Sequence, residues 1–156
     1  MTTYPVITIP NPDLRVLSEE IDPRTILEES FQTLIEDMKE TMVVSKGVGL
    51  AAPQIDLPKR LIIVKIREEL QAFINPEIIS RSLKTVVGEE GCLSVPGVYG
   101  LVKRHQRVTV KAYNQQGEKI KMRVDGFSAI IFQHEIDHLN GILFTDKVIE
   151  YTKRTG

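Results

Sequence analysis

The stretch QHEIDHLNG, residues Gln133 to Gly141, contains His134, Glu135 and His138 and so spells H-E-x-x-H. Residues four apart lie on one face of a helix, so both imidazoles can point at a single ion. Glu135 follows the first of them and can reach a water on that ion, which suits a general base. The chain has only three His, and two of them fall at this spacing. Two half-buried histidines with ordinary hydrogen bonds is the weaker reading. The surrounding residues predict the helix itself. Asp125 is placed to cap its start, and Phe127, Ile130, Ile131, Ile136 and Leu139 form an apolar stripe with both His on its flank. Gly141 fits the left-handed position just past the last turn.

A catalytic zinc-type site usually has three protein ligands and one open position. The metzincin pattern H-E-x-x-H-x-x-G-x-x-H would supply the third from the same run. Gly141 matches its glycine, but Phe144 stands where the third His should be. The residues alone leave His105, a distant carboxylate and the single cysteine, Cys92, as candidates. The neighbours Lys103, Arg104 and Arg107 suggest an exposed polar turn around His105.

At 156 residues the chain is expected to form one domain, 1–156, large enough to bury a core without staples. One Cys cannot make an internal disulfide, so a reducing compartment is the default. Twenty basic and 21 acidic residues, a net charge of −1, give no general reason to expect nucleic-acid or membrane binding. The N-terminus lacks the basic and apolar regions of a signal peptide. No stretch approaches the roughly 20 apolar residues of a membrane span. A cytoplasmic protein is the expectation.

Outward from the motif, Pro5, Pro10 and Pro12 predict an extended or turning start. Asp22-Pro23 resembles a cap and first-turn proline. Ile26, Leu27, Phe31, Leu34, Ile35, Met38 and Met42 then predict a long amphipathic helix from Pro23 to Val44. KGVGLAAPQIDLP, residues 46–58, has glycines suited to close backbone approach and Gln54 as a polar handle. Residues 60–66 and 72–79 read as strands, the second edge or bulged at Pro76. Residues 84–100 read as short extended pieces broken by Gly and Pro, with Cys92 in their midst. Residues 107–113 and 118–124 alternate and form a hairpin about NQQG, and the tail is expected to fray. The fold class is α+β: short antiparallel strands packed around a buried C-terminal metal-binding helix, plus a long N-terminal amphipathic helix.

G-V-G-L-A-A-P-Q (Gly47 to Gln54), E-G-C-L-S (Glu90 to Ser94) and Q-H-E-I-D-H-L (Gln133 to Leu139) together resemble the three signature motifs of the peptide deformylases, in the family's order. The run Asn11 to Arg15 is similar to the family's N-terminal segment. The resemblance spans nearly the whole chain. It implies that Cys92 is the third metal ligand beside His134 and His138, and that Glu135 is the acid/base residue. Gln54, through its amide, and Leu93, through its backbone N–H, would hydrogen-bond the substrate's formyl oxygen. Gly49 would lie beside the substrate, with Val48 and Ile130 helping to line the methionine pocket.

The implied reaction is hydrolysis of the N-formyl group on the initiator methionine of nascent polypeptides. A bound ion would generate hydroxide at neutral pH for attack on the formyl carbon. The implied cofactor is one divalent ion, Fe²⁺ in the cell, with Zn²⁺, Ni²⁺ or Co²⁺ able to occupy a purified sample. Many family members continue into a longer final helix, so the short tail weakens an expectation of transient ribosome association. Two rival readings are a peptidase built on the same motif and a non-enzymatic metal-stabilised module. A structural site is closed by four ligands and has no use for Glu135.

Overall fold

The computed structural model describes residues 2–155. Among the described residues, eight strands form two antiparallel sheets, and two α-helices pack against the larger one. Strands β1 (Gly49–Ala51), β2 (Leu61–Ile66), β3 (Glu69–Arg81), β6 (Arg107–Tyr113) and β7 (Lys119–Asp125) make a sheet in the order β1-β2-β3-β6-β7. Strands β4 (Thr85–Cys92), β5 (Val95–His105) and β8 (Val148–Arg154) make the second, in the order β4-β5-β8.

The sequence of β2, Leu-Ile-Ile-Val, explains the layering. Successive side chains point to opposite faces of a strand, so a continuous apolar run needs cover on both. On one face Leu61 and Ile63 meet Ile35, Met38 and Met42 of α1 (Glu29–Val44). On the other, Ile62 and Val64 meet Ile131, Phe132 and Ile136 of α2 (Gly126–Leu139). Phe73 and Phe132 pack edge-on with ring centroids 4.8 Å apart, an arrangement worth about 0.5–1.5 kcal/mol beyond its burial. A third cluster, including Leu14, Val102 and Phe144, lies against the smaller sheet. Helix α2 is largely buried from Ala129 to Leu139, with the polar Gln133, Glu135 and His138 buried among its apolar residues.

Several expectations need correction. The first helix begins at Glu29; Asp22 caps a separate 3-10 turn, Pro23–Thr25, by accepting from Arg24 N. Ile26 is buried between the two, whereas Leu27 is 68 % exposed and outside the stripe. Of the two alternatives expected at Pro76, the bulge is the one that forms: the residue lies in an interior strand and coincides with a register shift between Ile74 and Glu77. Residues 84–100 are not short pieces: β4 and β5 form a long hairpin around a two-residue turn, Leu93-Ser94. The tail is paired as β8 along β5. The hairpin of β6 and β7 and the left-handed Gly141, at φ +73°, are where the sequence puts them. No helix among the described residues is long and apolar enough to cross a membrane.

Candidate metal centre and active site

Helix α2 presents His134 and His138 on one face, their ring centroids 5.1 Å apart. The helix stops where it does through a complete glycine cap. Gly141 N donates to His138 O at 3.1 Å and Ile142 N to Asp137 O at 2.9 Å, which satisfies carbonyls of the last turn. Asp125 occupies the cap position at the other end, but its side chain accepts none of the first-turn amides. It instead lies opposite Arg107 in the β6–β7 register.

Cys92 is the last residue of β4, and its hairpin turn delivers the thiol to the helix. Its Sγ lies 3.3 Å from His138 Nε2. One ligating atom each from Cys92, His134 and His138 all fall within 4.8 Å of one another. A thiolate with two imidazoles suits zinc, iron and related divalent ions, so the donor chemistry fits a metal. The rival third ligand is elsewhere. His105 ends β5 with its ring Nδ1 2.9 Å from Ser82 O, and its backbone N–H donates to the Gln133 side chain at 2.9 Å.

Glu135 is buried beside these donors, and its Oε1 has no hydrogen-bond partner among the described residues. Burial pushes its pKa up to about 7, the poise that proton transfer at neutral pH requires. An orphaned buried carboxylate oxygen is costly unless something meets it. Burial also opposes charge on the His134 ring, but Glu135, Cys92 and Glu90 outweigh it and raise that ring's pKa. His138 shifts the other way, through burial and then the His134 charge.

Gln54 lies in the 3-10 turn after β1, almost fully buried. Its Oε1 accepts from Ala51 N at 3.0 Å, which orients the amide. Its Nε2 therefore faces the site, donating to Ser94 Oγ at 3.1 Å and lying 3.5 Å from Cys92 Sγ. Gly49 explains the close approach expected of its glycine. A Cβ there would sit 2.5 Å from Glu135 Oε2 and 2.9 Å from Ile131 Cγ2. An open cleft of about 450 Å³ runs from this point, lined in part by Val48, Gly49, Leu93 and Ile130. Phe127, expected in the buried stripe, is 63 % exposed and lines the same cleft.

Sequence reasoning missed Arg104, whose neighbours made it look solvent-facing. It is 3 % exposed and hydrogen-bonds Glu90 and Asp137. The alternation Val98, Gly100, Val102, Arg104 along β5 held the clue, since it assigns Arg104 to the inward face. Glu90 also contacts His134 Nδ1 at 2.9 Å. Burial would raise its pKa, yet Arg104 and His134 hold it down at about 2.

The family profile described as Polypeptide deformylase matches residues 3–154. The chain belongs to the polypeptide deformylase family. Relatives named peptide deformylase include one from Halothermothrix orenii, 49 % identical over 147 residues, covering 93 % of this chain and 95 % of that protein. Another, from Acetivibrio thermocellus, is 47 % identical over 138 residues, covering 88 % and 79 %. Among solved structures, the Thermotoga maritima peptide deformylase matches with a TM-score of 0.91 at 37 % identity, covering 95 % of this chain and 99 % of that one. A class I type b peptide deformylase from Acinetobacter baumannii, described as Met-Ala-Ser bound, also gives 0.91 at 37 % identity, covering 94 % and 99 %. Like the family, this chain is a metal-dependent hydrolase.

Proposed function

We propose that the chain acts as one catalytic domain and removes the formyl group from N-formylmethionyl peptides at the centre built by Cys92, His134, His138 and Glu135. The observation that carries this is the convergence of three donor atoms within 4.8 Å beside the buried, unpartnered Glu135 Oε1. Cys92 Sγ and one nitrogen each of His134 and His138 would hold a divalent ion. That ion supplies Lewis-acid polarisation and a water acidic enough to react at neutral pH. We assign Fe²⁺ in the cell, with Zn²⁺, Ni²⁺ or Co²⁺ as substitutes in a purified sample.

The remaining steps belong to the chain. Glu135 in its carboxylate form takes a proton from the attacking water as the water oxygen bonds to the formyl carbon. The Gln54 amide N–H and the Leu93 backbone N–H meet the oxyanion that develops on the formyl oxygen. As the C–N bond breaks, Glu135 returns its proton to the departing amine, and formate leaves. Val48, Gly49 and Ile130 hold the methionine end in the cleft. Strand β1 ends the larger sheet beside that cleft, so its outer edge at Gly49 can pair with an extended peptide. The Met-Ala-Ser complex of the Acinetobacter baumannii relative, a peptide headed by methionine, supports this reading. The setting is the compartment where formylmethionyl chains are made, the bacterial cytoplasm or its organellar equivalent.

The test is formate release from a short formyl-methionyl peptide, using protein loaded anaerobically with Fe²⁺. An unformylated peptide of the same sequence is run beside it. Formate from the first and no cleavage of the second is the expected result. No formate from folded, metal-loaded protein would overturn the proposal, and cleavage of the unformylated peptide would point to a peptidase.

A further inference from the structure

The three metal donors proposed above come from two elements that are distant in sequence: Cys92 from the end of β4, His134 and His138 from α2. A strand end and a helix need a fixed relation if one thiol and two rings are to share an ion. Arg104, on β5, bridges them. Its Nε donates to Glu90 Oε2 and its Nη2 to Glu90 Oε1, both at 2.9 Å. Its Nη1 donates to Asp137 Oδ2 at 2.7 Å. Glu90 lies two residues before Cys92 on β4, and Asp137 lies between the two His on α2. The same Glu90 Oε1 that receives Nη2 also contacts His134 Nδ1 at 2.9 Å. That engages Nδ1 and leaves Nε2 as the ring's free donor.

We propose that Arg104 is a positioning residue for the metal centre: its guanidinium clamps the Cys92-bearing strand to the His-bearing helix and, through Glu90, fixes the orientation of His134. A guanidinium presents its donors in a rigid planar fork, so one side chain can grip a carboxylate with two N–H groups and reach a second with a third. A lysine ammonium lacks that fork. Partners that orient the first ligands of a metal matter for affinity, typically by about 10–100-fold. An ordinary buried ion pair differs from this one because it need not touch a ligand ring. Here both carboxylates gripped by Arg104 stand within three residues of a ligand, and one of them contacts His134 directly. The outer end of the chain is Lys147, whose Nζ lies 3.0 Å from Asp137 Oδ2 and whose side chain is 42 % exposed.

The test is Zn²⁺ affinity of metal-free protein by competition with a chelator, beside the thiolate-to-metal absorption of the Co²⁺-loaded form. Thermal unfolding of the metal-free protein is followed in parallel. Arg104→Met is expected to weaken Zn²⁺ binding by about 10–100-fold and to alter the Co²⁺ band, with Arg104→Lys intermediate. Should Arg104→Met not fold, Asp137→Asn releases the helix side of the clamp and is expected to weaken Zn²⁺ binding several-fold. Variants that lose metal-free stability but bind Zn²⁺ and Co²⁺ as the parent does would overturn the proposal, leaving Arg104 a merely structural residue. An equal loss of affinity in Lys147→Ala would also overturn it, since surface charge rather than the clamp would then set affinity. The inference rests on the metal site proposed above. A parent protein that binds no Zn²⁺ overturns both, whereas a binding parent with unaffected variants overturns only this one.

Discussion

Replacing Gly49 with alanine adds one methyl group at the point where β1 meets Glu135. The added Cβ would lie 2.5 Å from Glu135 Oε2, 3.0 Å from its Cδ and 2.9 Å from Ile131 Cγ2. Non-bonded heavy atoms settle at roughly 3.5–4.0 Å, so the carboxylate oxygen must retreat by about 1–1.5 Å. Retreat on the Ile131 side is blocked, because that side chain belongs to the packed face of α2 against β2. Misplacing a reacting group by about 1 Å costs on the order of 10²-fold in rate. Overpacking of this kind costs about 1–3 kcal/mol of stability. The expected result is therefore a roughly 10²-fold fall in kcat/KM for formate release, with metal content unchanged. Gly47→Ala is the matched control, since its Cβ would meet nothing closer than Leu93 Cδ1 at 3.2 Å. Leu93 Cδ1 is the far end of a flexible side chain and can give way. A Gly49→Ala enzyme within about threefold of its parent would refute the reasoning, because the carboxylate's position would then not matter.

Gln54→Ala removes the amide that faces Cys92, and the oxyanion-donor role proposed for it predicts a fall in kcat of about 10²–10³. A change confined to KM would argue against that role. Gly141→Ala places a Cβ 2.5 Å from Arg15 O at a residue with φ +73°. Chemical denaturation should report a loss of about 1–3 kcal/mol, and an unchanged midpoint would contradict the glycine-cap account of α2. Phe132→Ala empties the fully buried site beside Phe73 and should destabilise by about 3–5 kcal/mol. A loss below about 1 kcal/mol would mean that this core collapses around the gap.

What could be read from the sequence was mostly local. The four-residue spacing of His134 and His138 depends on helical geometry alone. The alternation of β6 and β7 and the turn between them are equally self-contained. Gly141 announced a left-handed residue because few other side chains suit one. The misreadings arose where partners distant in sequence decide. The glycines between 84 and 100 look like breaks until β4 and β5 pair along their length, and Gly91 then gives room to the Tyr99 ring opposite. The charged tail looks free until β5 offers it an edge. Arg104 looks exposed until Glu90 and Asp137 arrive from other elements to neutralise it. Cys92 was one of three candidate ligands on the residues alone. Only the hairpin turn after β4, together with the ring of His105 held at Ser82, separates them in space.

The most direct test of the account is a metal titration of the metal-free protein followed by formate release, with Glu135→Gln run beside it. Activity should rise linearly from zero and break at one equivalent of Fe²⁺ in the parent. Glu135→Gln should bind the same single equivalent and release almost no formate. Formate release by metal-free protein, or by metal-loaded Glu135→Gln at a rate near the parent's, would contradict the claim that one ion and one buried carboxylate do the chemistry.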